Sequence, residues 1–307
     1  MIVEEALDKF KRLSDKHPYF PIILGNNHFV TLGAAGPDYP YLSELANNLL
    51  KLHSWADRMH YENTGNFVKY GIVNLLKLKE QNKQQDFEIC LSWLCGYVTH
   101  LLTDSFIHPV VNATVGLYLF NSGEHRHCEM IHDTFIFYEI KKVELRYADY
   151  VDLIKMCSDT ENKYLINPAI KDFWTETLKI SHPGGKNKFD KIDPDDWHEN
   201  YLSIISIVSD STPIFRHIGE VKHLFYKKVS DITVEEWKRF IDEIKLPGSK
   251  VGRFKEDVFD KAVEKVIEVW QKLFVDIEQK NPDNCTSYIK NWNLGTGVDE
   301  DKLYFWA

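Results

Sequence analysis

Between Asp86 and His108 the chain is apolar nearly all round a helix, through Ile89, Leu91, Trp93, Leu94, Val98 and Leu101. Such a helix has to be buried on every side. Yet it carries His100, Asp104 and His108 at successive steps of four. Residues four apart share one helix face, ~5–6 Å apart at Cβ. The three therefore form a polar stripe on an otherwise apolar rod. Burying two imidazoles and a carboxylate without partners costs several kcal/mol. No basic residue on this stretch neutralises Asp104. A fold that contains this helix must bring partners or a cation to the stripe. Imidazole with carboxylate suits Zn²⁺ and other first-row metals. The alternative is a hydrogen-bonded polar seam between helices.

The same step recurs in His125, Glu129 and Asp133, just after Gly123 and joined to His108 by only 16 residues. Two such stripes on neighbouring helices face each other in a bundle. That repetition favours metal over a seam. The order is His before Glu, whereas ferritin-like di-iron sites use Glu-x-x-His, so that class is disfavoured. His127 and His132 read as structural or surface histidines.

The remaining pattern is helical. Expected helices cover 1–16, 41–59, 66–81 and 86–108, the last closed by Pro109. Others run from about 121 to 147, 149 to 159, 168 to 181, 197 to 209, 232 to 244 and 251 to 279. Residues 17–40, dense in Gly, Pro and Asn, read as a long irregular segment on the rim of a site. No alternation is long enough to mark a strand. The fold class is all-α. The Pro-Gly-Gly break after His182 divides the chain into a metal-binding domain, residues 1–180, and a helical extension, residues 181–307, packed on it.

Composition narrows the function. Net charge is −9, from 37 basic and 46 acidic side chains. That argues against a basic nucleic-acid-binding face and against docking on anionic lipid. The longest apolar runs fall short of the ~18 residues of a membrane span. The N-terminus lacks a secretory signal pattern, and five irregularly spaced cysteines fit free thiols, so a cytoplasmic location is expected.

Two further pieces are weak alone. Asp38 follows Gly36-Pro37, which stiffens the chain before a carboxylate, but Gly-Pro-Asp is also a common turn. His60, in Met59-His60-Tyr61, closes a helix, where a lone histidine commonly meets the C-terminal dipole.

Taken together, Asp38, His60, His100-x-x-x-Asp104-x-x-x-His108 and His125-Arg126-x-x-Glu129 occur in the order of one family. Over roughly its first 145 residues the chain resembles the zinc-dependent phospholipase C family. That family includes bacterial phosphatidylcholine-hydrolysing phospholipase C and the catalytic domain of glycosylphosphatidylinositol phospholipase D. It is distantly related to S1/P1-type nucleases. The resemblance implies a multi-helix bundle that holds up to three zinc ions. It implies that Asp38, His60, His100 and Asp104 hold one zinc, and that His108, His125 and Glu129 hold a second. Asp104 bridges towards a third, and Asp38 doubles as general base. The family's third zinc takes a histidine near the N-terminus and, in secreted members, the terminal amine. This chain departs there: its early histidines, His17 and His28, lack the expected context. Two ions are therefore expected, three at most, with His28 and Asp133 as additional candidate ligands.

Clustered zinc neutralises an anionic ester, brings the pKa of its water near ~7 and clamps an in-line transition state. The expected activity is therefore hydrolysis of a phosphodiester, a phospholipid or another phosphoester. Tyr39, Trp55, Tyr61 and Phe67 are candidate pocket aromatics, with core packing as the alternative. Two competing readings stand beside this one. An HD-type metal-dependent phosphohydrolase would use His132-Asp133 but leave Asp38, His60 and Glu129 idle. A non-catalytic helical domain with structural metal would hold a closed site.

Overall fold

The computed structural model describes residues 1–13, 17–46, 54–143, 148–183, 191–210 and 228–306. In chain order the helices are α1 (Ile2–Lys11), α2 (Phe20–Gly25), α3 (Asn27–Ala35), α4 (Tyr39–Ala46), α5 (Trp55–Tyr61) and α6 (Thr64–Glu80). Then come α7 (Gln84–Val115), α8 (Tyr118–Lys141), α9 (Ala148–Lys155), α10 (Pro168–Ser181), α11 (Pro194–Asp210), α12 (Val234–Trp237) and α13 (Asp260–Glu278). Among the described residues the fold is all-α apart from one small hairpin.

The apolar rod read from the sequence is α7, 32 residues and ~48 Å long. Helices α3, α6, α10 and α13 pack along it, and α1, α2 and α8 meet it as well. One apolar cluster runs from Val3 to Leu294 and surrounds α7. Helix α13 belongs to that cluster, and its Trp270 Nε1–H donates to the Cys95 carbonyl of α7 at 2.9 Å. All five cysteines are buried and unpaired.

The segment 17–40 is not irregular: it is α2, α3 and a 3₁₀ turn, Gly36–Asp38. Its small residues serve helix contact rather than chain reversal. A Cβ on Gly33 would lie 1.9 Å from the Trp93 carbonyl oxygen, and one on Gly96 would lie 2.0 Å from that of Val30. Only two bare backbones can approach so closely. The expected helix 41–59 is also interrupted. Ser54 is extended and caps α5 in a reciprocal box with Asp57, while residues 47–53, with Leu49 and Leu52, lie outside the described residues. The helix expected at 121–147 begins earlier, at Tyr118, and kinks at Asn121.

Pro109 does not end α7, which continues to Val115 and stops at Gly116, where φ is +91°. Proline removes one N–H and leaves the carbonyl four residues back without its helical donor. That carbonyl belongs to Ser105. The two C-terminal helices also differ from expectation. Leu246-Pro247-Gly248-Ser249 reverses the chain with φ of +79° at Gly248 and +62° at Ser249. The turn pairs β1 (Ile244–Leu246) with β2 (Lys250–Gly252), antiparallel, Lys245 opposite Val251. Short π-helical turns, Lys238–Asp242 and Phe254–Phe259, flank it.

The α3–α7 contact should be the least tolerant point of the fold. Gly96→Ala places a methyl against backbone that cannot move aside, so a loss of about 3 kcal/mol or more is expected. Urea denaturation checks this; wild-type stability in the variant would show that the helices do not meet there.

Candidate metal centre

Each candidate side chain is delivered by a different local device. Asp38 ends the 3₁₀ turn after α3, with Pro37 before it. His60 lies in the last turn of α5, whose start the Ser54–Asp57 box fixes. His100, Asp104 and His108 follow one stripe of α7. His125 and Glu129 lie on α8 beyond the Asn121 kink. All seven, with Asp133, line a single cavity of about 550 Å³.

Their donor atoms converge. Those of Asp38, His60 and His100 lie within 4.8 Å of one another. His60 Nε2 is 3.3 Å from Asp38 Oδ1 and 3.2 Å from His100 Nε2. Glu129 Oε1 lies between His108 Nε2 at 3.5 Å and His125 Nδ1 at 3.7 Å. Asp104 Oδ2 sits between the two groups, 3.2 Å from His100 Nε2, 3.8 Å from His60 Nε2 and 3.9 Å from His108 Nδ1.

Backbone carbonyls decide which ring nitrogens face inward. His60 Nδ1–H donates to the Ala56 carbonyl at 2.7 Å, and His100 Nδ1–H to that of Ala34 at 2.9 Å. His108 Nδ1–H donates to the Leu294 carbonyl at 3.0 Å. His125 Nε2–H is shared by the Gly116 carbonyl and Asn112 Oδ1, both at 3.0 Å. A carbonyl only accepts, so each of these nitrogens carries the proton. In neutral rings the opposite nitrogens then present lone pairs to the cavity. Two such lone pairs, on His60 and His100, face each other at 3.2 Å. The inward nitrogen of His125 is buried without any hydrogen-bond partner. Lone pairs arranged this way repel unless a proton or a metal ion lies among them. The donor set, imidazole and carboxylate held by outer hydrogen bonds, fits zinc.

In the metal-free protein the neighbouring carboxylates favour a proton on His100 and on His108. Burial pulls His100 down, but Asp104 and Asp38 beside it outweigh burial and lift it to about 9. Asp104 and Glu129 likewise raise His108 against its burial. Burial pushes Asp104 up, yet His100 and His108 outweigh it and hold the carboxyl well below the usual range. Asp38 is held low in the same way, by His100 and His60 against burial.

Several candidates lie elsewhere. Tyr39 is fully buried, stacked on Tyr201, and Phe67 is fully buried, stacked on Tyr97. Trp55 packs against Arg58 and His182. None of the three lines the cavity; of the four candidate aromatics, Tyr61 does. His28 packs on Phe29, away from the cavity. Asp133 lines the cavity, but the ring of His132 lies flat on Phe254 and its Nε2–H donates to the Phe240 carbonyl. An HD-type site would need that imidazole beside Asp133 as a ligand. Sequence reasoning missed Tyr41, Tyr118 and Asn112. Asn112 continues the step of four from His108, a signal hidden by reading Pro109 as the helix end.

Residues 1–184 match the model of the zinc-dependent phospholipase C family. The chain belongs to this family. No curated protein and no solved structure shows significant similarity to it. Membership makes a phosphoester the substrate class and extends the likeness beyond residue 145, through α10.

The protonation pattern sets a pH dependence. His100 is raised from 6.5, so in the metal-free protein it adds stability that is full below pH 6.5 and lost as pH rises through about 9. Zinc requires the neutral ring, so it displaces this proton. Zinc added to metal-free protein at neutral pH should release about one proton from His100, and apparent affinity should fall as pH is lowered. Calorimetry in buffers of different ionisation enthalpy measures this. Binding without proton release would contradict the assigned protonation.

Proposed function

We propose that this member of the family hydrolyses a phosphodiester with a phospholipase C-like attack of water, using two zinc ions. The observation that carries the reading is the charge of the cavity wall. Asp38, Asp104, Glu129 and Asp133 line it, and among the described residues no Lys or Arg does. An anionic phosphoester is repelled by such a wall until cations occupy it. Zinc held by the two donor groups supplies the positive charge and an acidified water. Asp38, Asp104, His60 and His100 hold one ion, and His108, His125 and Glu129 the other. Asp104, between the groups, offsets repulsion between the cations. Asp38 is ionised and half exposed at the cavity, so it can take the proton of the attacking water.

A lipid is the favoured phosphodiester because of the rim. Leu117, Tyr118 and Phe120 are 52, 48 and 76 % exposed, and Tyr118 also lines the cavity. An exposed apolar run beside the mouth suits entry from a lipid surface. Net charge −9 favours a neutral bilayer over an anionic one. Among the described residues no helix is long and apolar enough to cross a membrane. The five buried thiols support the cytoplasm as the place of work.

Two variants separate the roles. Asp104→Asn should lose zinc and activity together, because a neutral amide is a poor ligand and balances no charge. Asp38→Asn should keep most of its zinc while turnover falls at least ~100-fold. Elemental analysis and hydrolysis of a chromogenic phosphodiester read both; full zinc and normal turnover in Asp104→Asn would refute the shared centre.

The rim makes a separate claim. Phe120→Ser should slow hydrolysis of phosphatidylcholine vesicles about tenfold, the scale of one lost buried aromatic. Its rate on a short-chain soluble phosphodiester should not change. Equal rates on vesicles for variant and wild type would remove the lipid-surface assignment.

A further inference from the structure

The family likeness ends at residue 184, yet one of the four carbonyls that orient the histidines lies far beyond it. Leu294 touches both donor groups: its N–H donates to the His60 carbonyl at 2.9 Å, and its carbonyl accepts from His108 Nδ1 at 3.0 Å. The adjacent Gly295 carbonyl accepts from Asn112 Nδ2 at 2.7 Å, while Asn112 Oδ1 accepts from His125. Both histidines of the second group are thus oriented through residues 294–295, His108 directly and His125 in part. The first group does not share this dependence for its ring orientation. His60 and His100 are held by Ala56 and Ala34, within the family match.

The segment is seated firmly enough to act this way. Thr64 Oγ1 donates to the Trp292 carbonyl at 2.8 Å, and Trp306 Nε1 to the Phe106 carbonyl at 2.8 Å. Gly297, at φ +67°, fits against the Ser105 carbonyl that Pro109 leaves without its helical donor. A Cβ there would lie 2.5 Å from that oxygen and 2.8 Å from Pro109 Cγ.

We propose that the C-terminal strap, residues 290–297, is a positioning element of the second zinc site, selecting the ring orientation of His108 and steadying that of His125. The inference rests on the zinc reading above. It assigns a role at the centre to a segment outside the part of the chain that carries the family pattern.

The test is a zinc titration of metal-free protein against a chromogenic chelator. Wild type should take up two ions in separable steps. Gly297→Ala should leave the first step unchanged and weaken the second about 10–100-fold, as loss of an outer hydrogen bond to a ligand does. Asn112→Leu, which removes the clamp without pushing the backbone, should weaken the same step. A second readout needs no metal: ¹⁵N NMR of the histidine rings at alkaline pH. It should show His108 with its proton on Nδ1 in wild type and a mixture of tautomers in Gly297→Ala. Equal weakening of both steps, or an unchanged second step and tautomer, would overturn the positioning role. Wild type that binds no zinc would instead refute the zinc reading, and the tautomer measurement would still decide the strap.

Discussion

A neutral imidazole has one N–H and one lone pair, so whatever accepts from one ring nitrogen determines which nitrogen is left for a cation. Here the acceptors are backbone carbonyls, from Ala34, Ala56, Gly116 and Leu294. A carbonyl moves only with its chain segment. The arrangement of α3, α5, the α7–α8 corner and the C-terminal strap is therefore also the arrangement of the lone pairs. The contact of α3 on α7 shows the coupling most directly. Gly33 and Gly96 let the two backbones touch, and that approach brings the Ala34 carbonyl to within 2.9 Å of His100. A methyl group at either glycine would separate the helices and withdraw the acceptor.

The apolar surroundings then give the cluster its strength. Helix α7 is buried on nearly every side, so the charges on His100 and Asp104 are poorly solvated and act strongly on each other. This interaction lifts His100 to about 9 although burial alone would lower it. His132 shows the contrast. It is equally buried but rests on Phe254 and a carbonyl, and burial takes it down to about 3. Two histidines on neighbouring helices thus diverge because carboxylates face one and an aromatic ring faces the other.

The part of the site legible in the sequence is the part written in side chains at a fixed helical step. His100, Asp104 and His108, and His125 with Glu129, announce a face because a helix repeats every 3.6 residues. Other features depend on backbone atoms or on distant packing, which leave no residue-type signature. The carbonyls that orient the rings can belong to any residue. Gly33 and Gly36 look like loop residues, since the same lack of a Cβ serves both a turn and a close helix crossing. Pro109 looks like a terminus, because its tolerance depends on what the Ser105 carbonyl meets. Tyr39, Trp55 and Phe67 look like pocket aromatics through proximity to Asp38 and His60 in sequence, yet they pack on Tyr201, on Arg58 and His182, and on Tyr97, partners that distant packing selects. The hairpin at 244–252 is too short for any periodicity to show.

The apolar cluster and the donor cluster carry separate burdens. Zinc-finger domains unfold without metal because they lack a core of their own. This chain has one apolar cluster from Val3 to Leu294, and most of it lies away from the cavity. Loss of metal therefore need not mean loss of fold. At the cavity wall a proton on His100 Nε2 faces Asp104 where a cation would otherwise lie. The proton answers the carboxylates beside His100. It cannot bridge to the buried lone pair of His125, whose nearest carboxylate is Glu129 at 3.7 Å. In the second group the carboxylates Asp104 and Glu129 raise His108 instead, and this is also the group that leans on the C-terminal strap. Its rings donate their outer hydrogen bonds to the strap and the α7–α8 corner, whereas those of the first group donate theirs to α3 and α5.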